Sequence, residues 1–217
     1  MITNLFSVFD PATGILSMNW LSIIFPCLLP IPFWNTPNKI ITIISIINKK
    51  LVNEIINQTN KTDSSLIFIS IFIFILIGNL IGLLPYIYTS SAQLRLSLSI
   101  ALTLWISIIL YGWINKTNSI FIHLVPVGTP RVLMPFIVII ESIRNLIRPG
   151  SLAVRLRANI IAGHLLIRLL GNRITQNSSL ILIIIWIFLT LIIFELAVAF
   201  IQSYVFITLS TLYSREI

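Results

Sequence analysis

Leu66-Ile-Phe-Ile-Ser70-Ile-Phe-Ile-Phe-Ile75-Leu-Ile-Gly-Asn-Leu80-Ile-Gly-Leu-Leu-Pro85-Tyr-Ile-Tyr88 is a run of 23 residues without a charge. A helix through it rises about 1.5 Å per residue and so exceeds the ~30 Å hydrocarbon layer of a bilayer. Two further uncharged windows, 15–33 and 96–114, are long enough to do the same. The composition points the same way: 57% of the 217 residues are hydrophobic and 9% are charged, against roughly 25% charged in soluble domains. A water-soluble domain of this size leaves about a quarter to a third of its extended-chain surface exposed, too much for a chain this apolar. The expected fold is therefore all-α and polytopic, a single membrane domain over 1–217. It should hold about five membrane-embedded helices plus one interfacial amphipathic helix. Pro26, Pro30 and Pro32 should end or kink the span at 15–33. Gly78-Asn-Leu-Ile-Gly82 has the spacing of a close helix–helix contact.

Several function classes drop out. The one cysteine, Cys27, excludes an internal disulfide and a multi-thiolate metal site. Phosphate-loop, zinc-protease and nucleophile-elbow motifs are missing, so neither metal, cofactor nor soluble-enzyme chemistry is expected. The formal charge of +8 would raise nucleic-acid binding in a soluble protein. Here the positives are scattered over loops and apolar segments, and no nucleic-acid partner is expected. The opening residues lack the charged n-region of a signal peptide and the Arg-rich pattern of a transit peptide, so the chain is expected to be made where it is inserted.

Residues 38–60 behave differently from the spans. Ile40, Ile43, Ile44, Ile47, Leu51 and Ile55 share one helical face, while Lys39, Lys49, Lys50, Glu54 and Asn57 occupy much of the rest. This pattern fits a helix lying on the membrane surface. Its lysines, with Lys61, assign it to the non-translocated side, and Lys116 falls on that side two crossings later.

The second half is apolar yet ionisable. Residues 131–171 hold Glu141, Arg144, Arg148, Arg155, Arg157, His164 and Arg168, with Arg148-Pro149-Gly150 as the one obvious breaker. Residues 174–214 contain a single charge, Glu195, and no glycine or proline. One straight helix over that length would be about 61 Å long, twice the hydrocarbon core, so strong tilt is expected. The expected hairpin comprises tilted helices within 131–171 and 178–213.

An ionisable group at membrane depth costs at least ~2.5–3.5 kcal/mol on insertion scales, so each is a functional candidate. At about 100° per residue from Arg155, Asn159 lies at about 40° and Gly163 at about 80°. Arg157, His164 and Arg168 fall at about 200°, 180° and 220°, which predicts a second polar stripe on the opposite side. Glu195 and Gln202 share a face of the next helix, with Ala199 between them. Each has a plainer role open to it. Arg155 could snorkel, His164 could be a neutral structural imidazole, and Gln202 could join two helices. Glu195 could pair with an arginine, and Glu141 with Arg144 or Arg148. Together they form a His/Glu/Gln chain beside a fixed cation, which suits proton conduction. Groups that titrate near neutrality pass protons on, whereas a guanidinium cannot and acts as an electrostatic gate.

The block Gly150-Ser-Leu-Ala-Val-Arg155-Leu-Arg-Ala-Asn159-Ile-Ile-Ala-Gly163-His164-Leu-Leu, with Glu195-Leu-Ala-Val-Ala-Phe-Ile-Gln202-Ser-Tyr-Val-Phe206, resembles the subunit a (subunit 6) family of the mitochondrial rotary ATP synthase. Asn4-Leu-Phe-Ser-Val-Phe-Asp-Pro11, Asn79-Leu-Ile-Gly82-Leu-Leu-Pro85-Tyr86 and His123-Leu-Val-Pro-Val-Gly-Thr-Pro130 are similar to the same family. The resemblance runs from about residue 4 to about 214, and His164 with Glu195 looks like its mitochondrial branch. It implies a proton-channel stator in the inner mitochondrial membrane, organelle-encoded and pressed against a rotating c-ring and other stator subunits. The matching Arg155 would face the ring carboxylate between two aqueous half-channels. Entry would pass His164, Glu195 and Gln202, Asn159 would sit beside Arg155, and Glu141 is the candidate lining of the exit. No nucleotide would bind this chain.

Arg95, Arg131, Arg144, Arg157, Arg168 and Arg215 depart from the family pattern of small or polar residues. Arg157 fits worst, as a second fixed cation two residues from Arg155. With 47 isoleucines against 3 methionines, AGA/AGG and ATA codons rendered as Arg and Ile rather than as Ser and Met are the expected source of these departures, with Arg148 and Arg155 staying arginine; the alternative is that the extra arginines pair with carboxylates on partners. The competing class is a proton-coupled secondary transporter or a respiratory-chain membrane subunit. A transporter should show paired repeats with broken helices, and no internal repeat is visible.

Overall fold

The chain is described by a computed structural model over residues 9–10, 18–24, 26, 39–59, 62–84, 87–115, 117–118, 125, 130, 133–176 and 181–216. Within these residues every regular element is helical: α1 (Lys39–Thr59), α2 (Thr62–Gly82), α3 (Leu94–Asn115), α4 (Met134–Gln176) and α5 (Ile181–Glu216). Short 3-10 turns lie at Met18–Ile23 and Ser90–Ala92. Most of the span expected at 15–33 falls outside the described residues, as do Lys61, Pro85, Lys116, His123 and Arg131.

Among the described residues three helical stretches are long and apolar enough to cross a membrane: Ser64–Gly82, Leu94–Asn115 and Ile184–Arg215. The helix α4 is not one of them, because Glu141 and six arginines interrupt it. The exposure pattern is that of a protein surrounded by apolar material. Ile193 and Phe194 are each 67% exposed, whereas the neighbouring Glu195 is 9% exposed. Many hydroxyls inside the helices are satisfied locally by donating to a carbonyl three residues back, as at Ser70, Ser107, Thr190 and Ser210.

Three boundaries differ from expectation. The helix α2 stops at Gly82 rather than near 88, since the residue before Pro85 is driven out of the helical region. Beyond it, Thr89, Ser90 and Ser91 are buried. Gln93 Nε2 donates to the Tyr88 hydroxyl at 2.7 Å and to the Phe9 carbonyl at 2.8 Å, tying this connection to the N-terminal segment. Burial there pushes the Tyr88 phenol above its ordinary range. The second difference is at Arg148-Pro149-Gly150, which does not break the chain: α4 runs 43 residues through Pro149. Proline removes one backbone bond and crowds the carbonyl of Asn145, at about 3 kcal/mol. Opening the helix without water would instead strand several backbone groups, each at several kcal/mol. The Arg148 guanidinium also lies 4.6 Å over the Tyr213 ring and holds this turn against the end of α5. The third is the Gly78/Gly82 spacing, which makes no helix–helix seam among the described residues. A Cβ at Gly78 would meet nothing within 4 Å among the described residues, and one at Gly82 would meet Thr89 Cγ2 at 3.2 Å.

The helices pack α3 on α4, α2 and α4 on α5, and α1 on α2 and α5. The core joins Ile55, Phe68, Ile75, Ala101, Leu152, Ala153, Leu156, Phe206 and Ile207. Small side chains at Ala101 and Ala153 let backbones approach closely. The C-terminal half of α1 docks through Thr211 Oγ1, which donates to Gln58 Oε1 at 2.6 Å, and through Tyr204, whose hydroxyl donates to Glu54 at 3.4 Å. In its N-terminal half Ile43, Ile46 and Ile47 stay exposed, with Lys49 and Lys50 exposed beside them.

Candidate functional site

Where α4 and α5 run side by side over the end of α2, they enclose a cavity of about 280 Å³. Its polar lining is Asn79, Asn159, His164, Glu195 and Gln202, and its apolar walls include Leu83, Ile160, Leu191 and Val198. Four of the residues singled out in the sequence therefore meet in one place. Glu195 is the most constrained of them. Both carboxylate oxygens are buried without a hydrogen-bond partner, and the carboxyl group rests against the backbone of Gly163. His164 Nε2 and Asn79 Oδ1 are likewise buried and unpartnered. The imidazole lies beside the Gly82 backbone and the Arg168 guanidinium, edge-on to Phe9 with centroids 6.3 Å apart.

An unpaired buried donor or acceptor carries a desolvation cost of about 1–3 kcal/mol. Four such atoms, on three helices, belong to residues that line one cavity whose walls are otherwise mostly apolar. An imidazole and a carboxyl brought to one cavity are groups that can take up and release protons.

The two-stripe expectation for α4 needs correcting. Asn159 and His164 line the same cavity because it spans the whole arc between them, floored by Gly163 and Ile160. The arc is continuous because Gly163 has no side chain to divide it.

Arg155 is not part of the lining. It sits on the Asn159 side of the helix, one turn or about 6 Å earlier along the axis, and is exposed. It makes no ion pair or hydrogen bond with any described residue. The exposed neighbours on its strip are Ser151, Ala158 and Ala162, small enough to let another helix come close. Glu141 is about 21 Å up the axis from Arg155 and is paired with Arg144. Arg157 is half-buried, and its Nε finds no partner.

Asn79 was not among the sequence candidates for the proton path. It is 4% exposed, on a helix whose long apolar run had marked it as a plain span. The available signal was a lone carboxamide between two glycines inside that run.

A polytopic membrane protein, helical throughout its described residues, with a few polar side chains gathered in an interior cavity, is the class that this fold and site define. The chain belongs to the ATP synthase A chain family, which matches residues 13–215. It is similar over its whole length, and over theirs, to proteins called ATP synthase subunit a. Identity is 52% with that of Anopheles quadrimaculatus, 51% with Locusta migratoria and 52% with Drosophila mauritiana.

Proposed function

We propose that this chain is the proton-channel stator subunit of the ATP synthase membrane sector, coupling proton flow to rotation of a c-ring and so to ATP synthesis. The observation that carries this reading is an exposed, intrachain-unpaired Arg155 one turn beyond a cavity in which the Glu195 carboxyl and the His164 imidazole are buried together. A ring carboxylate is neutral when protonated and can face lipid, while its ionised form seeks a cation. Arg155, presented among small side chains, is the cation that such a carboxylate can reach. The guanidinium also blocks direct passage, since it stays charged at any working pH.

In this scheme protons enter through the cavity past Gln202, Glu195 and His164, with Asn79 and Asn159 holding water between them. They board the ring on one side of Arg155 and leave on the other. Glu141, bonded to Arg144, belongs to the exit side. One charge moved across 100 mV supplies about 2.3 kcal/mol, which the cationic barrier directs into rotation. The helix α5, about 54 Å long against a core of ~30 Å, lies tilted along the ring with α4. The setting is the mitochondrial inner membrane, and partners are the c-ring, neighbouring stator subunits and lipid. ATP itself is made elsewhere in the complex, without a cofactor in this chain.

Glu195→Gln in the intact ATP synthase, reconstituted in vesicles, tests the reading. Proton-driven ATP synthesis should fall by about a hundredfold or more, the scale of a lost acid–base relay, with normal assembly. Undiminished synthesis would refute it. The transporter alternative gains nothing from the comparisons.

A further inference from the structure

The close approach of Glu195 to α4 gives one residue outside the relay a defined task. A Cβ built at Gly163 would lie 2.5 Å from Glu195 Oε1, 2.6 Å from Cδ and 3.1 Å from Cγ. The glycines of α4 at 150 and 171, by contrast, face open space. We propose that Gly163 is a positioning residue: its missing side chain is the seat that holds the Glu195 carboxyl group against α4, in line with His164. This rests on the proposed proton-path reading and adds a residue that touches no proton itself.

The clash involves the tip of a flexible side chain, and that decides what a methyl group there would do. Ordinary contact begins near 3.4 Å, so the carboxyl must retreat by about 1 Å, while close-packed backbones need not move. Folding therefore tolerates the methyl group and the relay does not. A displacement of about 1 Å at a reacting group costs on the order of a hundredfold in rate. Shortening the acid by one methylene should return space for the methyl. Gly163→Ala and Glu195→Asp are therefore expected to compensate each other, as contacting residues do in a double-mutant cycle.

The experiment uses the intact ATP synthase in vesicles, comparing wild type, Gly163→Ala, Glu195→Asp and the double variant. Readouts are complex abundance and proton-driven ATP synthesis. The expected result is normal abundance throughout, a loss of about a hundredfold in Gly163→Ala, and recovery of at least about tenfold in the double variant over Gly163→Ala. Near-normal synthesis in Gly163→Ala would overturn the proposal. So would a double variant no better than Gly163→Ala, or loss of the complex that Glu195→Asp does not restore. Glu195→Gln in parallel separates the two levels. If it abolishes synthesis while Gly163→Ala does not, only the seat fails; if it leaves synthesis intact, the proton-path reading fails as well.

Discussion

Arg157→Ser is the substitution whose effect runs against intuition. Arg157 is half-buried in the middle of α4, its Nε is buried without a partner, and it stands two residues from Arg155. On insertion scales a mid-helix arginine costs about 2.5–3.5 kcal/mol. With one guanidinium nitrogen already stranded and no compensating carboxylate among the described residues, most of that cost is uncancelled. Serine satisfies itself on the carbonyl three or four residues back, as Ser107, Thr190 and Ser210 do in this protein. Removing the cation should favour membrane insertion of the full chain by about 2 kcal/mol, about thirtyfold in the insertion equilibrium. Proton-driven ATP synthesis should be retained or raised, because a fixed positive charge on the His164 side repels protons. The assay pairs a translocation reporter between α4 and α5 with ATP synthesis by the assembled complex. A loss of assembly or a tenfold fall in synthesis would refute the reasoning and mean that a partner chain's acid neutralises Arg157. The gene is expected to carry AGA or AGG at 157, in which case the purified natural chain already holds serine there and is itself the Arg157→Ser member of the comparison with the arginine chain. A CGN codon would end that part of the account.

Two further substitutions test the packing. Thr211→Val removes the 2.6 Å bond to Gln58 that anchors α1 on α5; the expected destabilisation is about 0.6–1.7 kcal/mol, read as a lower unfolding temperature in detergent, and no change would mean that α1 is held by its apolar contacts alone. Phe206→Ala empties a site 3% exposed in the core and should cost about 3–5 kcal/mol, visible as reduced assembled complex; full assembly would place the core elsewhere.

Much of the architecture could be read from charge-free windows, because helices in lipid must satisfy their own backbone. That is why α2, α3 and α5 fall where runs without charge occur. Pro149 misled because proline signals calibrated in water assume that a broken helix finds solvent. The Gly78/Gly82 pair misled because spacing alone does not say what approaches. For the site, the chemistry-bearing residues Asn159, His164, Glu195 and Gln202 were legible as costly exceptions in an apolar stretch. Their meeting in one cavity was not, since a helical wheel shows directions on one helix and not the width of the gap beside it. Asn79 escaped for a related reason: its partners come from α4 and α5, far away in the chain.

The central claim concerns a single guanidinium. Arg155→Ala in the intact complex leaves every described intrachain hydrogen bond and ion pair in place, since Arg155 makes none, so assembly should be normal. In sealed vesicles under a proton gradient, ATP synthesis should fall below detection while passive proton leak through the membrane sector rises. Sustained ATP synthesis with Arg155→Ala, at normal complex abundance and without added leak, would contradict the account.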